Sequence, residues 1–123
     1  VAGPIEIIVT TLLSDTNPLN DAEDEVLDRI EKAEYSNAHG ITCPAWILPD
    51  IDVRSIWDGH VLATGVVSEG VPARHHFNPR PLEFALEHGA THVVVGTEVV
   101  EAHDPIRTLI GLTARCNKLL ERV

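Results

Sequence analysis

Apolar positions follow two rhythms along this chain. Short, nearly unbroken runs of β-branched residues alternate with longer stretches in which apolar residues return every third or fourth place. The runs are Ile5-Glu6-Ile7-Ile8-Val9-Thr10, His39 to Cys43, His60 to Val66 and Val93 to Val95, and they predict four strands. Pro4 and the Ser14-Asp15-Thr16-Asn17-Pro18 loop bound the first, and Pro44 stops the second. Between the first two, Ala22, Val26, Leu27, Ile30 and Ala33 recur at helical spacing. Asn20 stands at the predicted N-cap with Glu23 three residues on, the reciprocal capping pattern. Asp50 to Trp57 predicts a short helix with Ile51, Ile56 and Trp57 inward. After the Ser68 to Pro81 loop, Leu82, Ala85 and Leu86 predict a helix ended by Gly89. Asp104 caps the last helix with Pro105 at its first position, and Ile106, Leu109, Ile110, Thr113 and Leu120 form its predicted buried stripe.

Strands alternating with helices specify parallel βα units joined by right-handed crossovers. The best strands are apolar almost throughout, as expected when both faces are covered. Residues 1–123 therefore read as one α/β domain of four βα units. Two architectures satisfy the pattern: half of a (β/α)8 barrel, or a small flavodoxin-like three-layer sandwich. They differ in strand order, which follows the sequence in the barrel and not in the sandwich.

Charge and composition narrow the partners. A net charge of −10 argues against nucleic acid and against an anionic membrane, both of which need basic surface. No apolar run approaches the ~18 residues of a membrane span. Cys43 and Cys116 are far apart without CxxC spacing, so two reduced thiols in a cytoplasmic protein are expected. The chain has no methionine, so either an initiator was trimmed before Val1 or the chain was cut from a longer one. The acidic cluster from Asp21 to Glu25 complements the dipole of the first helix and reads as a solvated face. His75 and His76 are adjacent and point opposite ways in extended chain, and no HxH or HExxH spacing occurs, so no metal is expected. P-loop, GxGxxG and Gly-x-Ser-x-Gly signatures do not occur either.

Four strand-end motifs carry a resemblance. Thr10-Thr11-Leu12-Leu13-Ser14, Gly40-Ile41-Thr42-Cys43-Pro44, Ala63-Thr64-Gly65-Val66, and Gly89-Ala90-Thr91-His92-Val93-Val94-Val95-Gly96-Thr97 with Asp104-Pro105 occur in this order, with helices between them. Together the four motifs resemble the C-terminal half of the orotidine 5′-phosphate decarboxylase barrel. The Val-Val-Gly ending is shared with other phosphate-binding barrels such as hexulose-phosphate synthase and sugar-phosphate epimerases.

The resemblance implies a half-barrel that binds a phosphorylated pyrimidine nucleotide, with no cofactor. Backbone amides at Gly65 and Gly96 would hold the phosphate, and Ser14 matches a position that hydrogen-bonds the pyrimidine in parts of the family. Two departures weaken that grip. The family's arginine after the last glycine is Thr97 here, and its loop glutamine falls on Glu69, a carboxylate that repels phosphate. Arg74 or Arg80, from the same loop, is placed to compensate. The family's Asp-x-Lys-x-x-Asp array and second lysine belong to the other half, and Lys32 and Lys118 are both on helices. Decarboxylation then requires a complementary half, and the chain is expected to act as a homodimer or with such a partner. The rival expectation is a non-catalytic binding or scaffolding half-barrel.

Overall fold

A computed structural model describes residues 5–13, 22–72 and 76–121. Four strands form one sheet: β1 (Ile8–Thr10), β2 (Gly40–Pro44), β3 (His60–Thr64) and β4 (His92–Val93). They lie in the order β1-β2-β3-β4, and every neighbouring pair is parallel. That is the barrel's order and excludes the sandwich, in which a later strand would be inserted between earlier ones.

Helix α1 (Ala22–Tyr35) returns the chain from β1 to β2, burying Ala22, Val26, Ile30 and Ala33 as the spacing predicts, while Leu27 stays outside. The predicted cap at Asn20 lies outside the described residues. The helix ends where Asn37 turns left-handed at φ 58°, so that Ala38 N–H reaches the Ala33 carbonyl and Asn37 N–H that of Glu34. Gly89, at φ 99°, ends α4 (Leu82–Glu87) by the same pair of bonds, from Ala90 to Ala85 and from Gly89 to Leu86.

The helix predicted over residues 50–57 is not continuous. A 3-10 turn at Ala45–Ile47 leads into α2 (Leu48–Ile51) and then α3 (Val53–Ile56), broken at Asp52 with φ 48°. Trp57 and Ile51 do face inward, whereas Ile56 is on the surface. The short helix α5 (Thr97–Val100) precedes the long α6 (Pro105–Leu120). Asp104 caps α6 as predicted, its carboxylate accepting from Arg107 N–H at 3.1 Å.

The core lies between the sheet and its helices. Ile41, Cys43, Val61 and Ala63, alternate positions on paired strands, meet Val26, Ile30, Ile47, Leu48, Val53, Leu82 and Ala85. The other sheet face carries Thr10, Thr42, Leu62 and His92 in one register row, with Ile8, Gly40 and His60 in the row below. This face is not a continuous apolar one: it mixes threonine and histidine with single aliphatic side chains. Gly40 keeps the lower row close, since a Cβ there would sit 2.8 Å from Ile8 Cδ1 and 2.9 Å from His60 Cβ.

One prediction is overturned on α6. Its expected buried stripe is exposed: Ile106 by 74%, Ile110 by 64%, Leu120 by 61% and Leu109 by 49%. Leu112, Cys116 and Leu119 face the core instead. Arg115 of α6 is ion-paired with Glu83 of α4, so the exposed stripe, roughly opposite Arg115 around the helix, turns away from α4. It points to the side beyond β4, whose outer edge has no strand partner among the described residues.

Candidate ligand site at the strand ends

The C-terminal ends of β3 and β4 open into a cavity of about 420 Å³. Val66, Val67, Val71 and Pro72 supply an apolar wall after β3. Gly96, Thr97, Glu98 and Glu101 supply the other side from the β4 end and α5, and His76 and Thr108 also line it. Several local devices hold this shape. Gly65, at φ 65°, turns the chain at the end of β3 and accepts from Arg80 N–H at 3.1 Å, while Val67 N–H donates to the Arg80 carbonyl at 3.0 Å. This clasp draws the two ends of the loop together. At the other side the Gly96 carbonyl accepts from Val99 and Val100 N–H at 2.9 and 3.0 Å, starting α5. Space beside Gly96 is open, with nothing within 4 Å of where a Cβ would stand.

The floor is fixed by β3 and β4. Thr91 Oγ1 accepts from Val61 N–H at 2.8 Å, extending the ladder below β4, and Val94 N–H donates to the Ala63 carbonyl at 2.8 Å above it.

Polar contacts across the rim form a chain. Ser68 donates both its N–H, at 2.8 Å, and its hydroxyl, at 2.6 Å, to the Glu98 carboxylate. Arg115 Nη1 donates to the same Ser68 hydroxyl at 3.0 Å, and its other nitrogens bind Glu83. Burial alone would raise the Glu83 carboxyl, but the Arg115 hydrogen bonds, a backbone bond and the guanidinium charge together hold it below the usual value.

The residues singled out in the sequence separate in space. Gly96 and Thr97 line the cavity. Gly65 is buried at its edge as a turn, and Glu69 is exposed on the rim rather than among the lining residues. Ser14, Arg74 and His75 lie outside the described residues. Arg80 does not line the cavity: its backbone is held in the Gly65 clasp and its guanidinium lies 5.1 Å over the Phe84 ring. The carboxylates facing the cavity are Glu98 and Glu101, which sequence reasoning passed over. The bond of Glu98 to Ser68 comes from a loop 30 residues away, and no local spacing encodes it.

The remaining histidines and thiols lie elsewhere. His39 Nδ1 accepts from Ile7 N–H at 2.8 Å, and the His60 and His92 rings meet edge to face at 5.1 Å, all at the N-terminal end of the strands. Among the described residues no three His, Cys, Asp or Glu side chains converge as a metal site. Cys43 is buried beside the Thr11 hydroxyl at 3.3 Å, and burial pushes its thiol up to about 11. Lys32 is paired with Asp28 at 2.9 Å on the outside of α1, and Lys118 is exposed on α6. Neither reaches the cavity.

Comparison with solved structures decides the architecture. An orotidine 5′-monophosphate decarboxylase from Metallosphaera sedula superposes with a TM-score of 0.66 at 24% identity, over 94% of this chain and 52% of that one. An orotidine 5′-phosphate decarboxylase from Pyrococcus horikoshii OT3 gives a TM-score of 0.65 at 21% identity, over 87% and 49%. The fold is half of a decarboxylase-type (β/α)8 barrel. The half-barrel spans about half the length of the structures it matches. No family model and no curated protein matches the sequence. Within the described half-barrel, no helix is long and apolar enough to cross a membrane.

Proposed function

We propose that this chain is an orotidine 5′-phosphate decarboxylase-like protein that supplies the C-terminal half of a barrel, with the cavity beyond β3 and β4 as its ligand seat. The observation that carries this reading is the coincidence of a barrel-ordered parallel sheet with a cavity at the strand ends where such barrels bind ligands. Decarboxylation in this reading requires a complementary half bringing the Lys/Asp array, because neither lysine of this chain is near the cavity.

The outward stripe of α6 supports such a partner. In a closed barrel the helix after the last strand packs beside the helix after the first. A second copy of this chain would present α1 there, and the outside of α1 is dominated by carboxylates. A complementary half with an apolar helix face fits Ile106, Leu109 and Ile110 better. The second reading, a non-catalytic binding half-barrel, is favoured by Thr97 and by the carboxylates in the cavity wall.

The test is isolation of the native assembly with an antibody to this chain, followed by mass spectrometry and an orotidine monophosphate decarboxylation assay. The expected result is an Asp-x-Lys-x-x-Asp half, on the same polypeptide or another, and activity. An inert assembly containing only copies of this chain would overturn the enzymatic reading and leave the binding one.

A further inference from the structure

Among the described residues three shielded side-chain polar atoms have no hydrogen-bond partner: Trp46 Nε1, Thr64 Oγ1 and Arg80 Nε. All three belong to the C-terminal ends of β2 and β3 or to the end of the loop after β3. The opposite ends of the strands are satisfied, with Trp57 Nε1 on the His60 carbonyl at 3.0 Å and Thr91 Oγ1 taking Val61 N–H at 2.8 Å. Trp46 packs edge to face on Phe77, and the Arg80 guanidinium lies over Phe84, so ring and charge explain those two. Thr64 has neither a ring nor a charge to place, and valine would fill the same volume without the unmatched hydroxyl. Departures of this kind from what the fold prefers collect at functional sites. The position agrees. Val61 and Ala63 turn to the helices, so Leu62 and Thr64 turn to the concave face, the interior of a closed barrel. Thr64 is the last residue of β3, followed by the Gly65 turn and by Val66 of the cavity wall. Its register partner on β2 is Pro44, whose ring offers no hydrogen-bonding group. Residues at the C-terminal ends of barrel strands are the ones that meet ligands.

We propose that Thr64 is a ligand-binding residue, its hydroxyl taking an uncharged polar group of the ligand, a carbonyl, N–H or hydroxyl of the kind a nucleoside presents. This rests on the reading of the strand ends as a ligand seat, and it extends that seat from the cavity onto the end of β3. A hydroxyl donates one bond, accepts others and carries no charge, so it matches a neutral ring or sugar edge and leaves a phosphate to other groups. The oxygen is already out of water and bound to nothing in the protein. A ligand therefore has no competing bond to displace, and the new bond adds to affinity without a matching loss in the free chain.

The test pairs stability with binding in the whole chain, for the native protein, Thr64→Val and Thr64→Ser. Urea unfolding should show Thr64→Val at least as stable as the native chain, since valine removes only the unmatched hydroxyl. NMR titrations with uridine and uridine 5′-monophosphate should show that variant weakened at least about fivefold towards both. Thr64→Ser, which keeps the hydroxyl, should stay close to native. Inorganic phosphate should bind the native chain and Thr64→Val alike. A Thr64→Val chain that is clearly less stable overturns the proposal, because the hydroxyl would then serve the fold. Unchanged affinity for both nucleoside probes in Thr64→Val overturns it too, as does a native chain that binds neither of them. Decarboxylation by the native assembly is a separate measurement, so an inert assembly would refute the enzymatic reading and leave the Thr64 result standing.

Discussion

Helices α1 and α6 are the first and last long helices of the half-barrel, and they turn opposite surfaces outward. Helix α1 buries one stripe and gives the rest to solvent: Glu23, Asp24, Glu25, Asp28, Glu31 and Glu34 are exposed, with Arg29 and Lys32 paired to Glu25 and Asp28. Helix α6 buries Leu112 and packs Cys116 and Leu119 on the core, yet also exposes Ile106, Leu109, Ile110 and Leu120. A helix with one apolar stripe is fully served by the sheet beneath it. A helix with two stripes has two neighbours, and the described residues provide one of them.

The comparison breaks first if the buried stripes are not equivalent. Ile30→Ala on α1 and Leu112→Ala on α6 should each destabilise the chain by about 2–4 kcal/mol in urea unfolding. Ile110→Ala, on the outward stripe, should change the same measurement by less than about 0.5 kcal/mol. An equal loss at Ile110 would mean that this side is already covered within the chain.

Association sharpens it next. Ile110→Asp should weaken assembly with the complementary half about tenfold, or ~1.4 kcal/mol, in sedimentation equilibrium, whereas Leu27→Asp on α1 should leave it unchanged. Equal effects from the two would instead point to a second copy that brings α1 against α6.

The α6 cap comes third. Asp104→Ala removes the acceptor for Arg107 N–H and should cost about 1 kcal/mol in thermal unfolding. Acid then probes the bond between α4 and α6. Glu83 is held below its usual value, so its pairing with Arg115 stabilises the fold above the unfolded carboxyl pKa and is lost as pH falls through the folded one. Both partners are more than one-third exposed, so the loss should stay below about 1 kcal/mol. Arg115→Gln should remove that part of the acid dependence and return Glu83 towards its ordinary titration by NMR. The smallest effect belongs to α1, where Asp28→Asn should cost about 0.3–0.5 kcal/mol by removing its pair with Lys32.

These contrasts also explain which features the sequence carried. The four strands and the Asp104 cap were legible because each is encoded locally, by a β-branched run or by a residue type at a helix end; the strand order was not, since the same pattern also fits a sandwich. The buried face of α6 was not. Its sequence contains two helical apolar stripes, and periodicity cannot say which one meets the sheet. The break at Asp52 was hidden because aspartate is unremarkable within a helical pattern and enters the left-handed region only in a particular tertiary setting. In the candidate site, Gly96 and Thr97 were found by strand-end position, while Glu98 was missed because its significance comes from Ser68, carried there by the β3 loop. Contacts between loops after different strands exist only once the strands have paired.

The two tryptophans stand at opposite ends of the sheet. Trp57, just before β3, is buried and donates through Nε1 to the His60 carbonyl at 3.0 Å. Trp46, just after β2 on the rim of the ligand loops, packs edge to face on Phe77 at 5.6 Å. The chain thus carries two built-in optical reporters. Trp57→Phe leaves Trp46 as the sole indole emission, sensitive to events at the upper loops, and Trp46→Phe leaves one that follows the base of the strands. A ligand that displaces Phe77 should alter only the first spectrum, and separation of β3 from its neighbours should alter the second.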